Sequence, residues 1–424
     1  MNDPIIEFNP KLPKLSKNEK EVLKLLVEAG RLIVPIYKEQ EKQPSFSKEE
    51  IEKAAKGNPA ILSPYTIVEK VNGKLIAIPY HKKYAELLKP IAEKLEQAAE
   101  ITENKEFGSA LRIQAKTLLD GSYEKATAVW LKMEPYILDI SIGPLHHSDD
   151  RLEYGKASYH AWVGVLDKEG TERLNNYKTI TLSASRKAPG AKEQIYPKKI
   201  KAIVLDEVLF AGIMARTKFV GLNLPVDLSL VEKYGVQVTL FNQVNDLRMK
   251  KQIIPTFDKI FSAKFREEFN LEDLRRGSLR YVALHELSHN YLYFKNSAKN
   301  LQDLFICIYE LAATVLGIRL AGSLLLLDRI TNKQLESMIV AFISRSFDLV
   351  EKYRKNKFLK NYASGGAIFI NFMLESGALK QKEGMAIPNF MKIFVSLHEL
   401  SYITERLLSS GTRKDAEVFI HKYS

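Results

Sequence analysis

Cysteine is almost missing from this sequence: Cys307 is the single one in 424 residues. No internal disulfide can form, which excludes a disulfide-stapled secreted scaffold and fits a reducing, cytoplasmic setting. Cys307 lies within an apolar run, where a small core residue is expected rather than a nucleophile. A targeting signal is also missing from the start. Met1–Pro13 is polar and proline-bearing and lacks the basic-then-apolar order of a secretory leader. Long hydrophobic runs are confined to Leu304–Leu327, and that stretch carries Glu310 and Arg319 in its interior. Each charge would cost roughly 2.5–3.5 kcal/mol near a bilayer centre, so a buried helix is expected and no membrane partner.

What is present is the composition of a folded globular chain, 46% hydrophobic and 27% charged, with enough length for two or three domains. The formal charge of +12 is spread along the chain, with its densest concentration at Arg186, Lys187, Lys192, Lys198, Lys199 and Lys201. No zinc finger, RNP-type aromatic strand or basic helix accompanies it. A solvated surface is expected there rather than a nucleic-acid site, although such a field favours acidic substrates.

The first region, residues 1–135, reads as mainly helical. Ser16-Lys17-Asn18-Glu19 resembles a capping box opening an apolar-periodic segment through Tyr37, and Tyr84–Thr102 and Phe107–Leu119 repeat the helical period. Tyr65–Val71 and Lys74–Pro79 flank Asn72-Gly73, a two-residue hairpin signal. Residues 136–255 form a β-rich mixed region, with short runs at Ile137–Ile142, Ala161–Leu166, Ile200–Leu205 and Val236–Phe241. Long helical segments return in residues 256–424. The expected class is α+β, with a helical region carrying the chemistry.

That chemistry is concentrated in Arg280–Phe294, which contains His285-Glu286-Leu287-Ser288-His289, an H-E-x-x-H pattern. Histidines at i and i+4 share one helix face, close enough to hold one metal ion, and the glutamate between them can act as general base toward water at the metal. Catalytic zinc takes three protein ligands and keeps one position open. The expected third ligand is Glu310, twenty-one positions beyond His289, because a carboxylate inside an apolar helix needs such a partner. A salt bridge from Glu310 to Arg319 is the bland alternative, and Asp303 the weaker candidate ligand. Leu397-His398-Glu399-Leu400-Ser401-Tyr402 echoes the motif without its second histidine, which reads as coincidence on an amphipathic helix.

With these residues in view the chain resembles the dipeptidyl peptidase III family of zinc exopeptidases, closer to the bacterial and plant members with H-E-x-x-H. The resemblance runs through Ala99–Lys105, Asp139–Pro144, Tyr154–Val165, Ala211–Pro225, Phe257–Ile260, the metal motif, Tyr309–Leu316 and Phe372–Leu379. It implies a two-lobed molecule: a helical zinc-binding lobe, a mixed lobe with a β-rich region, and a cleft between them. It also implies one zinc ion on His285, His289 and Glu310, with Glu286 activating water, and short peptides as substrates. One of the family's amine-binding asparagines falls on Asn223; the bland reading of that residue is a turn before Pro225. Elsewhere the shell departs. The family's Glu and Tyr after the Gly-Pro step fall on His146 and Ser148, and its second asparagine on Val226. A carboxylate four positions beyond the zinc-binding glutamate falls on Thr314, and a later His and Arg fall on Tyr362 and Gly366. His146 or His147 is the replacement donor to look for. Two functions are therefore expected in competition: a zinc metallopeptidase, and a catalytically inactive, zinc-stabilised peptide-binding or scaffold protein.

Overall fold

A computed structural model of the chain describes residues 2–43, 46–145, 155–185, 194–353 and 359–424. At the N-terminal end the Ser16 hydroxyl accepts the Glu19 N–H at 3.1 Å and opens α1 (Lys17–Arg31). The expected capping box is only half formed. Glu19 does not turn back on its own cap: it is buried, and one carboxylate oxygen accepts from the Thr102 hydroxyl, the Glu103 N–H and the Tyr136 hydroxyl, each at 2.8 Å. The periodic segment through Tyr37 also breaks, at Leu32, before α2 (Ile33–Gln40). Pro35 explains this, since its ring would clash with the carbonyl of Arg31 in a continuous helix. Two further helices follow the expected ranges, α3 (Ala85–Ile101) and α4 (Lys105–Asp120), and α5 (Tyr123–Lys132) is additional. The predicted hairpin forms as β2 (Thr66–Val71) and β3 (Lys74–Pro79), with Asn72 and Gly73 both at positive φ, 50° and 77°.

The main sheet joins β1 (Ile5–Glu7), β4 (Leu138–Leu145), β5 (Ser158–Leu166), β6 (Ile200–Gly212), β7 (Gly221–Leu224) and β8 (Val236–Phe241). Its order is β4-β5-β6-β8-β7, with β1 pairing along β6. Only β6 and β8 run parallel; the other pairs are antiparallel. Its four longest strands grow from the four β-rich runs of the sequence. Two strands are additional, and one of them matters: β7 holds Asn223, which is therefore a strand residue at the sheet's edge and not a turn residue. Between β5 and β6 the chain forms α6 (Lys168–Ser185), which packs on β6.

Beyond the sheet come α7 (Asn242–Arg248), α8 (Leu271–His289), α9 (Phe305–Leu326), α10 (Asn332–Tyr353), α11 (Lys360–Glu375), α12 (Phe390–Ser410) and α13 (Arg413–Tyr423), with a small hairpin of β9 (Leu379–Lys382) and β10 (Met385–Pro388). The segment Ser297–Leu326 is long and apolar enough to cross a membrane by length and composition, and 67% of its apolar 18-residue stretch is buried inside the protein. Within it α9 is covered by α8, α11 and α12, and Cys307 is a buried core residue. One apolar core runs without a break from Leu15 to Tyr423, giving the expected α+β architecture. Lys201 corrects the solvated-surface reading of the basic segment. It is buried and donates to the backbone carbonyls of Trp130 and Met133. Arg186, Lys187 and Lys192 lie outside the described residues.

Candidate metal centre

The motif is carried by α8, which Asn270 caps by accepting the Asp273 N–H at 2.7 Å, with Glu272 and Asp273 favourably placed in the first turn. Two glycines then decide how closely other helices approach. A Cβ on Gly277 would lie 2.7 Å from the Ser337 backbone of α10, and one on Gly317 of α9 would lie 2.8 Å from the Leu284 carbonyl carbon and 2.9 Å from the His285 nitrogen. Bare backbone at Gly317 thus lets α9 rest on α8 at the motif. Seven residues earlier, about two helical turns, α9 presents Glu310.

The side chains converge. His285 Nε2 and His289 Nε2 are 3.1 Å apart, and Glu310 Oε2 lies 3.3 Å from the first and 3.9 Å from the second. Four-coordinate zinc with bonds of 2.0–2.1 Å separates its ligand atoms by about 3.3 Å, so two of the three spacings already suit such an ion and the His289–Glu310 one is wider. The hydrogen bonds behind it point the same way. The Thr314 hydroxyl donates to the Glu310 carbonyl at 3.1 Å, leaving its lone pairs to accept from His285 Nδ1 at 2.9 Å. With the proton held on Nδ1, His285 turns a bare Nε2 toward Glu310. The bland alternatives are both otherwise engaged: Arg319 pairs with Glu405 at 3.3 Å, and Asp303 pairs with Arg413 at 2.8 Å. The echo motif lies on α12, with the His398 ring against Phe394, and is no part of this group.

Burial and close charges set the electrostatics of the group. Burial alone would lower the His285 pKa, but the Glu310 carboxylate, which accepts from the protonated ring, and the charges of Glu286 and Glu310 outweigh it, and the net shift is upward. Glu286 is pushed up to about 7, chiefly by burial and further by Glu310, against the pull of His285 and Arg248. Glu286 is also tightly confined. A Cβ on Gly221 would stand 2.6 Å from its Cγ and 2.8 Å from its Oε1, so β7 approaches the motif helix as closely as a glycine permits.

Two cavities flank the group. One, of about 160 Å³, holds Lys218, Arg248, Tyr281, Arg345 and Tyr362 beside the metal residues. Tyr362 thus occupies the wall where the resemblance places a histidine; Gly366 instead packs on the Ser346 backbone. The other cavity, of about 310 Å³, is walled by Leu292, Tyr293, Phe294, Phe305, Ile306 and Tyr309, with Asn223 and Val226 at its edge. Tyr309 lies against both the His289 and Phe305 rings, with centroids at 4.6 and 5.1 Å. The Asn223 amide donates to Asn290 Oδ1 at 3.1 Å and to the Tyr293 hydroxyl at 2.9 Å, while its buried carbonyl oxygen accepts no hydrogen bond among the described residues. His146 and His147, the other expected substrate residues, lie outside the described residues, as does Ser148. Arg248, Arg345 and Tyr281 went unread in the sequence because nothing local marks them. The aromatic wall had a visible signal in Tyr291-Leu292-Tyr293-Phe294, directly after the motif.

No protein-family model matches the chain. Among curated proteins it is 21% identical over 362 residues to Nudix hydrolase 3 of Arabidopsis thaliana, covering 83% of this chain and 46% of that protein. The chain thus spans about half the length of this curated relative. Among solved structures it superposes on dipeptidyl peptidase III from Caldithrix abyssi with a TM-score of 0.83, at 20% identity over 96% of this chain and 90% of the other. The enzyme from Corallococcus sp. strain EGB gives 0.81, at 18% identity over 99% and 90%. The chain has the two-lobed α+β fold of the dipeptidyl peptidase III structures, as the resemblance implied.

Proposed function

We propose that this protein is a zinc-dependent metallopeptidase of the dipeptidyl peptidase III kind, hydrolysing short peptides in the cleft between β7 and the helical lobe. The observation that carries the reading is the meeting of His285, His289 and Glu310 within 4.8 Å of one another, beside the buried carboxylate of Glu286. Those three residues would hold the ion, which when bound supplies Lewis acidity toward a carbonyl and lowers the pKa of adjacent water. Glu286 takes a proton from the attacking water and passes it to the nitrogen of the departing amine. Burial pushes its pKa upward, the direction that makes a carboxylate a stronger base near neutral pH. Phenol hydroxyls from Tyr281 and Tyr362 in the cavity wall are the donor type that a developing oxyanion requires. Because β7 is the edge strand, a peptide in extended form can add to it beside Glu286. Asn223, with its unsatisfied buried carbonyl oxygen, is the residue suited to accept from a substrate N–H. A cytoplasmic setting is part of the same proposal, in keeping with the single buried cysteine.

The test is a peptide-library digest read by mass spectrometry, with metal analysis of the same samples. Glu286→Ala should lower turnover by about 10²–10⁴-fold while metal is retained. A second reading is a zinc-stabilised peptide-binding protein without turnover, and the altered shell at Val226, Thr314, Tyr362 and Gly366 favours it. Peptide binding with no cleavage across the library would select that reading; cleavage that depends on Glu286 would exclude it.

A further inference from the structure

The two cavities beside the metal group differ in charge, and that difference bears on which end of a peptide the site holds. In the smaller one Arg345 donates to Asp348 and to Gln252, both at 2.6 Å. Asp348 is shared with Lys352 at 3.0 Å, so one carboxylate serves two cations. Arg248 has no ion pair with a carboxylate among the described residues; its guanidinium reaches only the Tyr281 hydroxyl, at 3.4 Å. It is close enough to Arg345, Glu286 and His285 for its charge to act on all three. Lys218, Arg248 and Arg345 all line this cavity, where the carboxylates are Glu286 and Glu310 of the metal group. The larger cavity shares Glu286 and Glu310 but has aromatic and aliphatic walls and Lys295 as its one lysine or arginine.

The sheet edge adds a direction. The Gly221 end of β7 borders the cationic cavity, while Asn223 and Val226 border the aromatic one. A peptide added antiparallel to β7 runs the opposite way, with its C-terminal end toward Gly221 and the arginines. Added in parallel, it would press its terminal ammonium against them. Charge therefore selects the antiparallel orientation.

We propose that Arg248, supported by Arg345, anchors the C-terminal carboxylate of the substrate, so that the preferred substrates are short peptides with a free C-terminus. This rests on the peptidase reading for its context, but its test does not need turnover. The probe is N-acetyl-trialanine, as the free acid and as the C-terminal amide, titrated calorimetrically into metal-free protein so that no ion competes for the carboxylate. The free acid should bind about tenfold tighter than the amide, the scale of a charge-assisted guanidinium–carboxylate contact. Arg248→Gln should erase that preference, and Arg248→Lys, which keeps the charge, should retain most of it. Equal affinity of acid and amide for the parent protein, no binding of the acid at millimolar concentration, or an undiminished preference in Arg248→Gln each overturns the proposal. If peptides are hydrolysed while acid and amide bind alike, the anchor fails and the peptidase reading stands. A persistent acid preference without hydrolysis has the reverse meaning.

Discussion

Two buried histidine sites invite comparison, one in the sheet and one on the motif helix. His160 of β5 is 3% exposed, and both its ring nitrogens are occupied within the sheet. Nδ1 faces the Gly143 carbonyl at 2.8 Å and Nε2 the Ser141 hydroxyl at 2.9 Å, and burial pushes its pKa down to about 4. It is a neutral, satisfied core histidine. His289 is also buried and His285 mostly so, yet their Nε2 atoms face one another and share the Glu310 carboxylate. Burial is common to both sites and does not distinguish them. What separates a ligand from a packing residue here is an Nε2 that meets a carboxylate at ligand spacing, held in His285 by the bond from Nδ1 to Thr314.

The largest effect that breaks this comparison is His289→Ala. It should drop bound metal from one ion per chain to almost none and lower turnover by at least about 10²-fold, read by elemental analysis and peptide assay. The matching change, His160→Gln, should leave metal content untouched. Acid sharpens the contrast next. The folded pKa of His160 is about 4, below its ordinary 6.5, so between those values the unfolded chain binds the extra proton. The stability this contributes is complete above pH 6.5 and is lost as pH falls toward 4, by roughly 3 kcal/mol at most. Urea unfolding at pH 7 and pH 4.5 should show that loss in the parent and a smaller one in His160→Gln.

Smaller changes act around the motif itself. Gly221→Ala puts a methyl into Glu286 and should cost about 1–3 kcal/mol of stability together with activity, since either the strand or the general base must shift. Thr314→Val keeps the volume but removes the acceptor for His285 Nδ1, and should weaken metal binding by about 10–100-fold in competition with a chelator.

Much of this was legible beforehand because it is written in local pattern. Asn72-Gly73 fixed its hairpin through two positive φ angles, and Ser16 capped its helix. H-E-x-x-H placed two imidazoles on one face, and Glu310 stood out as an acid where only a partner makes acid tolerable. The unread parts depend on contacts distant in sequence. The four residues of β7 are too few to show alternation, and Pro225 disguised them as a turn. Glu19 had the sequence of a reciprocal cap but was taken by Thr102, Glu103 and Tyr136, over eighty positions away. Lys201 looked like one more surface cation until Trp130 and Met133 supplied carbonyls for it. Arg248 and Arg345 gain meaning only from the cavity between them, and Gly317 only from the helix lying on it.

The most direct test of the account is the metal content of the purified protein and of Glu310→Ala, measured by plasma mass spectrometry after dialysis. One zinc ion per chain in the parent, falling to a small fraction in the variant, is the predicted result. A parent that takes up no zinc, or a variant that holds it as well as the parent, would contradict it.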